Sequence, residues 1–379
     1  MVVEIEAEPI RARTKNRLSN CKVKQQLRSP VTDRNEARHE GQEANRFAAG
    51  SSLGQSVSAM ADHKKQHFVP RSYLNAWCDP NTPVGQEPYV WLFSRDGSTS
   101  RRKAPTNIFH ETDLYTIEVP GGGRDLVLEH GLAQLESEFV SIRDTKLKRL
   151  EPLDLAEHVL LCGFIAAAHV RTPTQRDHLT EQWGNVLAVA DRMMEWAKTA
   201  TPEQKRRAAS LAAPKGDRSF TYDEVKALAE KPLQTAMIPS IKAEARLLTR
   251  LDCAVFTSDE ELGFITSDNP CVWFDAEACK RPPFYQVLGL MYESIEITLP
   301  VSPRQIILLN SRGVSGYLPA FERLVDELNR RTCFRCTEYF VNSANVTRPI
   351  WFDPGIEPED SWRKQHPEAQ GGAEGVDQG

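Results

Sequence analysis

The sequence predicts an α+β fold: a single large domain in which a helical layer packs on a mainly antiparallel or mixed sheet. Three observations carry that prediction. Apolar residues recur at helical spacing through a long central stretch, about 126–251. Short β-branched and aromatic runs separated by tight turns come before and after it. The third is composition: 379 residues, 40% hydrophobic and 26% charged, exclude a collagen, a wholly disordered chain and a membrane bundle.

In chain order, His67-Phe-Val-Pro70-Arg-Ser-Tyr-Leu74-Asn-Ala-Trp77 opens the ordered region. Pro70 suits a first helical turn, where a missing N–H costs nothing, so a short helix burying Val69, Tyr73, Leu74 and Trp77 is expected. Runs at Tyr89–Phe93 and Asp113–Val119, with Asp96-Gly97 between them and Gly121-Gly-Gly123 after them, predict a small hairpin or meander. Helices follow at about 126–150, 154–171, 174–200, 222–230 and 233–251, several bounded by Pro or Gly and begun by Asp or Thr caps. The segment 201–221 is a connection rich in Pro, Ala and charge. Beyond Leu251, strands are expected at Cys253–Thr257, Gly263–Thr266, Cys271–Phe274, Ser294–Leu299 and Gln305–Leu309, then a helix at about 315–331 and a strand at Tyr339–Val341. Strands joined by short links favour antiparallel pairing over a doubly wound sheet.

These elements place one domain at 60–353, made of an opening motif with a small meander (60–125), a helical part (126–251) and a sheet-rich part (252–353). The flanks 1–59 and 354–379 lack sustained apolar periodicity and read as disordered tails. Their net charges of +3 and −4 partly conceal each other within the chain's −5, leaving −4 for the domain. Met60 stands just ahead of the opening motif and is an expected translation start; the competing reading is a basic arm through Arg11-Ala-Arg13-Thr-Lys15-Asn-Arg17. No long hydrophobic run follows the early charges, so no secretory signal is expected. The longest apolar stretch, Val159–Ala168, is about half of the roughly 20 residues a bilayer demands, and no membrane association is expected.

Eight scattered cysteines without an export signal favour reduced thiols and a cytoplasmic setting. Cys333-Phe-Arg-Cys336 would need Cys271 and Cys279 to complete a four-thiolate zinc site. Seven residues separate that second pair instead of two, so partly buried thiols between a helix and a strand are the plainer expectation.

Several polar positions are candidates for chemistry. On the 126–150 helix, Leu128, Leu132, Leu135, Phe139 and Ile142 form a core stripe, and Glu129, Glu136 and Arg143 share its edge at seven-residue spacing. Two carboxylates at a core margin suit a divalent metal or acid–base work; the alternative is a solvated edge with an Arg143 to Glu136 link. His158 and His169 share a face of the next helix but stand roughly 16 Å apart at 1.5 Å per residue, too far to hold one ion. Arg171, before Thr172-Pro173, either caps terminal carbonyls or binds a carboxylate or phosphate in a cleft, with Arg176 beside it. In Thr266-Ser-Asp-Asn-Pro270, the polar heads of Ser267, Asp268 and Asn269 either make a tight turn or sit at a sheet end where sites form. His67 is a general base, a metal ligand or a ring bonded to backbone.

Taken together, His67-Phe-Val-Pro70 with Tyr73-Leu74 and Trp77, Asp113-Leu-Tyr115 with the Glu129 and Glu136 helix, Arg171-Thr-Pro173, Thr266-Ser-Asp-Asn-Pro270 and Leu299-Pro-Val-Ser-Pro303 resemble the bacterial family called domain of unknown function 4238. The resemblance spans roughly 65–345, with Trp77 and Val301 where Phe and Leu are expected. It implies a single family domain and no particular activity.

Two functions fit. One is a metal-assisted hydrolase or nuclease in which His67, Glu136 and Asp268 are catalytic, Arg171, Arg176, Ser267 and Asn269 bind substrate, and Glu129 with Glu136 holds a divalent metal. The other is a non-catalytic binding or sensing module for a small anionic ligand or a nucleic-acid end. The chain lacks a P-loop, a dinucleotide glycine motif, HExxH, GxSxG and the paired-cysteine deaminase pattern, which removes several common enzyme classes. Both functions demand that His67, Arg171 and Asp268 converge.

Overall fold

A computed structural model describes residues 65–119, 123–211, 220–286 and 288–353. The expected tails and the Met60 start fall outside them. The chain opens with β1 (Lys65–His67) and α1 (Arg71–Leu74), where Pro70 is the residue just before the helix. Then come β2 (Val90–Ser94), β3 (Ser100–Lys103), β4 (His110–Thr112), β5 (Ile117–Val119) and β6 (Gly123–Asp125). The helical part holds α2 (Val127–Thr145), α3 (Leu155–Val170), α4 (Pro173–Thr199), α5 (Pro202–Leu211), α6 (Tyr222–Glu230) and α7 (Pro232–Leu248). The remainder is β7 (Asp252–Thr257), β8 (Thr266–Ser267), β9 (Val272–Asp275), β10 (Ile295–Ser302), β11 (Gln305–Asn310), β12 (Gly316–Pro319), α8 (Glu322–Arg335) and β13 (Tyr339–Asn342).

The α+β class stands, but the strands form two principal sheets where one was expected. One is five-stranded, in the order β12-β7-β11-β10-β9, antiparallel except for the parallel pair β12 and β7. The other is four-stranded and antiparallel, β3-β2-β13-β8, and joins the two ends of the described chain. Two small ribbons, β1 with β4 and β5 with β6, complete the set.

Caps explain why the central helices start where expected. Asp154 accepts from the Glu157 N–H while Glu157 reaches back to the Asp154 N–H, and Thr221 with Glu224 repeats the pattern for α6. The second half of helix α3 is buried almost all round, at Leu161, Cys162 and Phe164 through Ala168, which places it in the core of the helical layer. The Phe164 ring stacks on Phe139 of α2, centroids 3.7 Å apart.

Three segments differ from expectation. Residues 201–221 contain α5, a helix that sequence periodicity does not flag because it carries no apolar stripe. The helix expected at 315–331 begins at Glu322, since 316–319 pair with β7 as an edge strand. The run expected at 113–119 opens in a turn where Asp113 adopts φ 57°, so only 117–119 form a strand, β5, while β4 precedes the run.

The opening motif is pinned to both layers. Tyr73 and Trp77 are fully buried. The Tyr73 hydroxyl donates to the Pro300 carbonyl at 2.6 Å, and the Trp77 indole N–H donates to the Phe264 carbonyl at 2.8 Å. Each ring buries enough apolar surface to contribute about 3 kcal/mol. At Gly263 a Cβ would overlap the Pro303 carbonyl oxygen, so the approach that lets Phe264 N–H reach that same oxygen requires glycine.

Candidate functional site

Strand β1 pairs with β4 so that His67 lies opposite His110 and Gln66 opposite Glu111. Gln66 is fully buried: its carbonyl accepts the Tyr115 N–H at 2.5 Å and its amide donates to Thr116 Oγ1 at 3.1 Å. One side chain therefore fixes the turn after β4 to the strand before α1. Backbone strain flanks β4. Phe109 and Asp113 both hold positive φ, 55° and 57°, a conformation that disfavours bulky side chains and that persists where surrounding contacts enforce it.

Tyr115, brought inward by this turn, joins two of the candidates. Its hydroxyl lies 3.4 Å from the carbonyls of both His67 and Arg171, so those two backbones are no more than two hydrogen-bond lengths apart. Burial raises the Tyr115 hydroxyl well above the ordinary phenol range, Arg171 opposes that shift, and Glu136, Glu129 and Glu111 add to it. The phenol thus stays neutral among one cation and three carboxylates.

A cavity of about 360 Å³ opens beside Tyr115, with His67, Ser72, Glu129 and Glu136 on its walls and Lys65 and Arg71 at its rim. Helix α2 supplies both carboxylates, because seven-residue spacing keeps them on one edge of the Leu128, Leu132, Phe139 stripe. The Glu136 Oε1 accepts from Arg171 Nη1 at 2.6 Å, and Arg171 is only 1% exposed. Arg143 does not make the alternative link to Glu136. Its guanidinium pairs with Asp144 and donates to the Ser72 and Tyr73 carbonyls instead.

His67 Nε2, Ser72 Oγ, and Arg171 Nε and Nη2 are all buried without a hydrogen-bond partner. Burial lowers the His67 proton affinity, helped by His110 and Arg71, while backbone bonds at Thr106 and Pro105 oppose the shift. With the backbone on its other nitrogen, a neutral ring presents the Nε2 lone pair to the cavity. His110 sits edge-on to His67, centroids 5.3 Å apart.

The structure brings His67, Glu129, Glu136 and Arg171 together and places the remaining candidates elsewhere. Asp268 is a buried carboxylate whose oxygens accept the N–H groups of Thr337, Glu338 and Tyr339 at 2.7, 2.6 and 2.9 Å. Burial raises its pKa and those three bonds oppose the rise. Ser267 Oγ accepts from the Asn269 N–H, and the Asn269 amide donates to the Arg335 carbonyl. That loop ties α8 to β13 and does not line the His67 cavity, although Thr337, whose N–H Asp268 accepts, bonds Thr174 at the start of α4, and Thr266 meets the Tyr73 hydroxyl. Arg176 pairs with Glu111 of β4 and with Asp177, at the flank of the same region.

Among the described residues no group of three or more His, Cys, Asp or Glu side chains is placed to hold a metal ion. His67, Glu129 and Glu136 line one cavity but are not placed as a three-ligand group, and Cys271 and Cys279 do not complete a site with Cys333 and Cys336. Cys333 and Cys336 are buried, and burial pushes the Cys333 thiol up to about 12. His158 meets Cys162, whereas His169 is held between Glu244 and Gln175 and stacked on Trp273, three turns away on α3. A larger hollow, about 680 Å³, lies by Tyr339, Trp351 and Phe352, is mainly apolar, and borders Asp353, where the description ends. No helix among the described residues is long and apolar enough to cross a membrane.

The residues that sequence reasoning missed are Gln66, Ser72, His110, Glu111 and Tyr115. Gln66 adjoins the opening motif and Tyr115 belongs to the Asp113-Leu-Tyr115 segment, but no local pattern marks their joint contact.

The family model described as "Protein of unknown function (DUF4238)" matches residues 65–345, and the chain belongs to that family. No curated protein and no solved structure matches it. The match contains every wall of the cavity.

Proposed function

We propose that this member of the DUF4238 family is a hydrolase acting on an anionic substrate at the His67 cavity, with nucleic acid and nucleotide phosphoesters as the first substrates to test. The carrying observation is a set of unpartnered buried polar atoms: His67 Nε2 and Ser72 Oγ, whose side chains line one cavity, and Arg171 Nε and Nη2, held behind it by the lining residue Glu136. Each such atom costs about 1–3 kcal/mol, a cost that a polar ligand relieves by supplying its partner.

His67, neutral at pH 7, takes a proton from an attacking water through Nε2 as the water oxygen bonds to phosphorus and the ester P–O bond breaks, and the imidazolium then returns that proton to the leaving oxygen. Lys65 and Arg71 draw the anion to the rim, and Arg171 meets negative charge that grows as the bond to water forms. Glu136 holds the guanidinium, and Glu129 lines the same cavity. No step is assigned to a metal, because the donors here make no three-ligand group. Asp268 has no step either, since backbone N–H groups occupy both of its oxygens. Scattered thiols support a cytoplasmic setting for this chemistry.

A non-catalytic binding module for an anionic ligand or nucleic-acid end is the second reading, favoured by the fact that the same orphaned atoms would be satisfied without turnover. The two separate in one assay. Purified protein is incubated with DNA, RNA and nucleotide panels, with and without magnesium or manganese, beside His67→Gln. Hydrolysis that falls roughly 100-fold or more in the variant supports the enzyme. Hydrolysis that survives the substitution overturns the role of His67, and binding without hydrolysis across the panels supports the binding module.

A further inference from the structure

Resting on the cavity as a site for an anionic substrate, the geometry around Arg171 identifies the chemical group that substrate presents. Helix α3 ends at Arg171, and its side chain turns inward to Glu136. The contact with Glu136 uses Nη1. Nε and Nη2 remain, both buried and both without a partner. These two nitrogens share one edge of the planar guanidinium, and their N–H bonds run side by side. Two parallel donors on one edge match the spacing of two oxygens in a carboxylate or phosphate.

Nearby groups account for the position of the guanidinium and not for its idle edge. Its central carbon is 6.0 Å from the Phe164 ring, which attracts the cation but accepts no fork. The Tyr115 hydroxyl lies between the carbonyls of His67 and Arg171. Glu136 neutralises the charge while taking only one of the donors. A structural ion pair would be stronger with the carboxylate bridging two nitrogens on one edge. Here the carboxylate sets the plane of the guanidinium and leaves the two-donor edge open.

We propose that the Nε and Nη2 edge of Arg171 is a recognition fork for an oxyanion, a carboxylate or a phosphate carried by the substrate, and that Glu136 is its positioning residue. Arg171 stands behind the lining residues Glu136 and Tyr115 with both nitrogens shut off from solvent, so the fork requires those side chains to give way when the anion enters. Lysine cannot replace this arginine, since an ammonium offers a point charge in place of two fixed parallel donors.

The test titrates full-length protein with inorganic phosphate and, separately, with acetate, in wild type, Arg171→Lys and Glu136→Gln, followed by calorimetry. Wild type is expected to bind at least one of the two ions, and Arg171→Lys to weaken that binding roughly tenfold or more. Phosphate alone would mark a phosphate ester as the source of the oxyanion, and acetate alone a carboxylate. Equal binding by Arg171→Lys, or no binding of either ion by wild type, overturns the fork. If Arg171→Lys fails to fold, arginine Nε–H resonances of the ¹⁵N-labelled wild type decide: a solvent-protected Nε–H that shifts on titration supports the fork, and none that shifts overturns it. Arginine-dependent binding without hydrolysis of any substrate would leave the fork standing and remove the enzyme. Hydrolysis that depends on His67, with anion binding and KM unchanged in Arg171→Lys, would remove the fork alone.

Discussion

Two buried polar regions of this chain resemble each other in sequence and differ in how their hydrogen bonds are filled. At the junction of α8 and β13, Asp268 receives three backbone N–H groups at 2.9 Å or less, and Asn269 bonds the Arg335 carbonyl. At the His67 cavity and the Arg171 side chain behind its Glu136 wall, Ser72, His67 and Arg171 keep buried atoms without partners. A filled network is a structural device whose removal weakens the fold. An unfilled one stores unfavourable free energy at a fixed place, which is what a site for a ligand does.

The comparison is broken most readily at the filled end. Asp268→Ala removes three charge-assisted hydrogen bonds from the partly buried N–H groups of Thr337, Glu338 and Tyr339 and is expected to destabilise the protein by about 4 kcal/mol in urea unfolding. A loss below about 1 kcal/mol would show that water or other groups satisfy the junction, and that its completeness is not what holds α8 to β13. The Glu136–Arg171 pair comes next. Glu136→Ala strands a buried guanidinium and should cost about 3 kcal/mol, at the lower end for a broken buried pair because Glu136 is itself partly exposed. Unchanged stability would mean that the guanidinium finds solvent on its own.

Ser72→Ala sharpens the contrast because its sign is reversed. Removing a buried hydroxyl that has no partner should stabilise the fold by up to about 1 kcal/mol, and a loss of that size in thermal melts would show that Ser72 has a partner in solution. The smallest effect is a pH dependence. Burial, then the charges of His110 and Arg71, lowers His67 from its ordinary 6.5, so the folded state binds that proton less readily than the unfolded state. The contribution of the neutral ring is therefore present above pH 6.5 and is lost as pH falls through the lowered folded value. Unfolding free energies of wild type and His67→Gln should draw together on acidification through that window; a gap that widens would contradict the direction.

Much of the architecture is legible in the chain because it is local. The stripe Leu128, Leu132, Phe139 and Ile142 fixes the inner face of α2, and the Asp154 and Thr221 capping boxes start α3 and α6 within a residue or so of where the pattern points. Edge strands are less legible. β3 reads Ser-Arg-Arg-Lys and β12 reads Gly-Tyr-Leu-Pro, and neither alternates apolar with polar, so each becomes a strand only because β2 or β7 offers it a partner. α5 is polar all round and is invisible to periodicity for the same reason.

The candidate site divides along the same line. Its residue types were visible: an imidazole ahead of Pro70, two carboxylates on one helix edge, an arginine at a helix end. Their partners were not. Glu136 meets Arg171 across 35 positions and Asp268 meets Thr337 across 69, and both carboxylates stand beside turns or helix edges that look equally suited to function. By itself, then, the sequence determined the α+β class, the central helices, the opening motif and the family, because propensity, capping and apolar spacing act over a few residues. Only the tertiary structure decided which polar groups are satisfied. A hydrogen bond is a property of two atoms at bonding distance, and which distant atoms come that close is set by how the whole core packs.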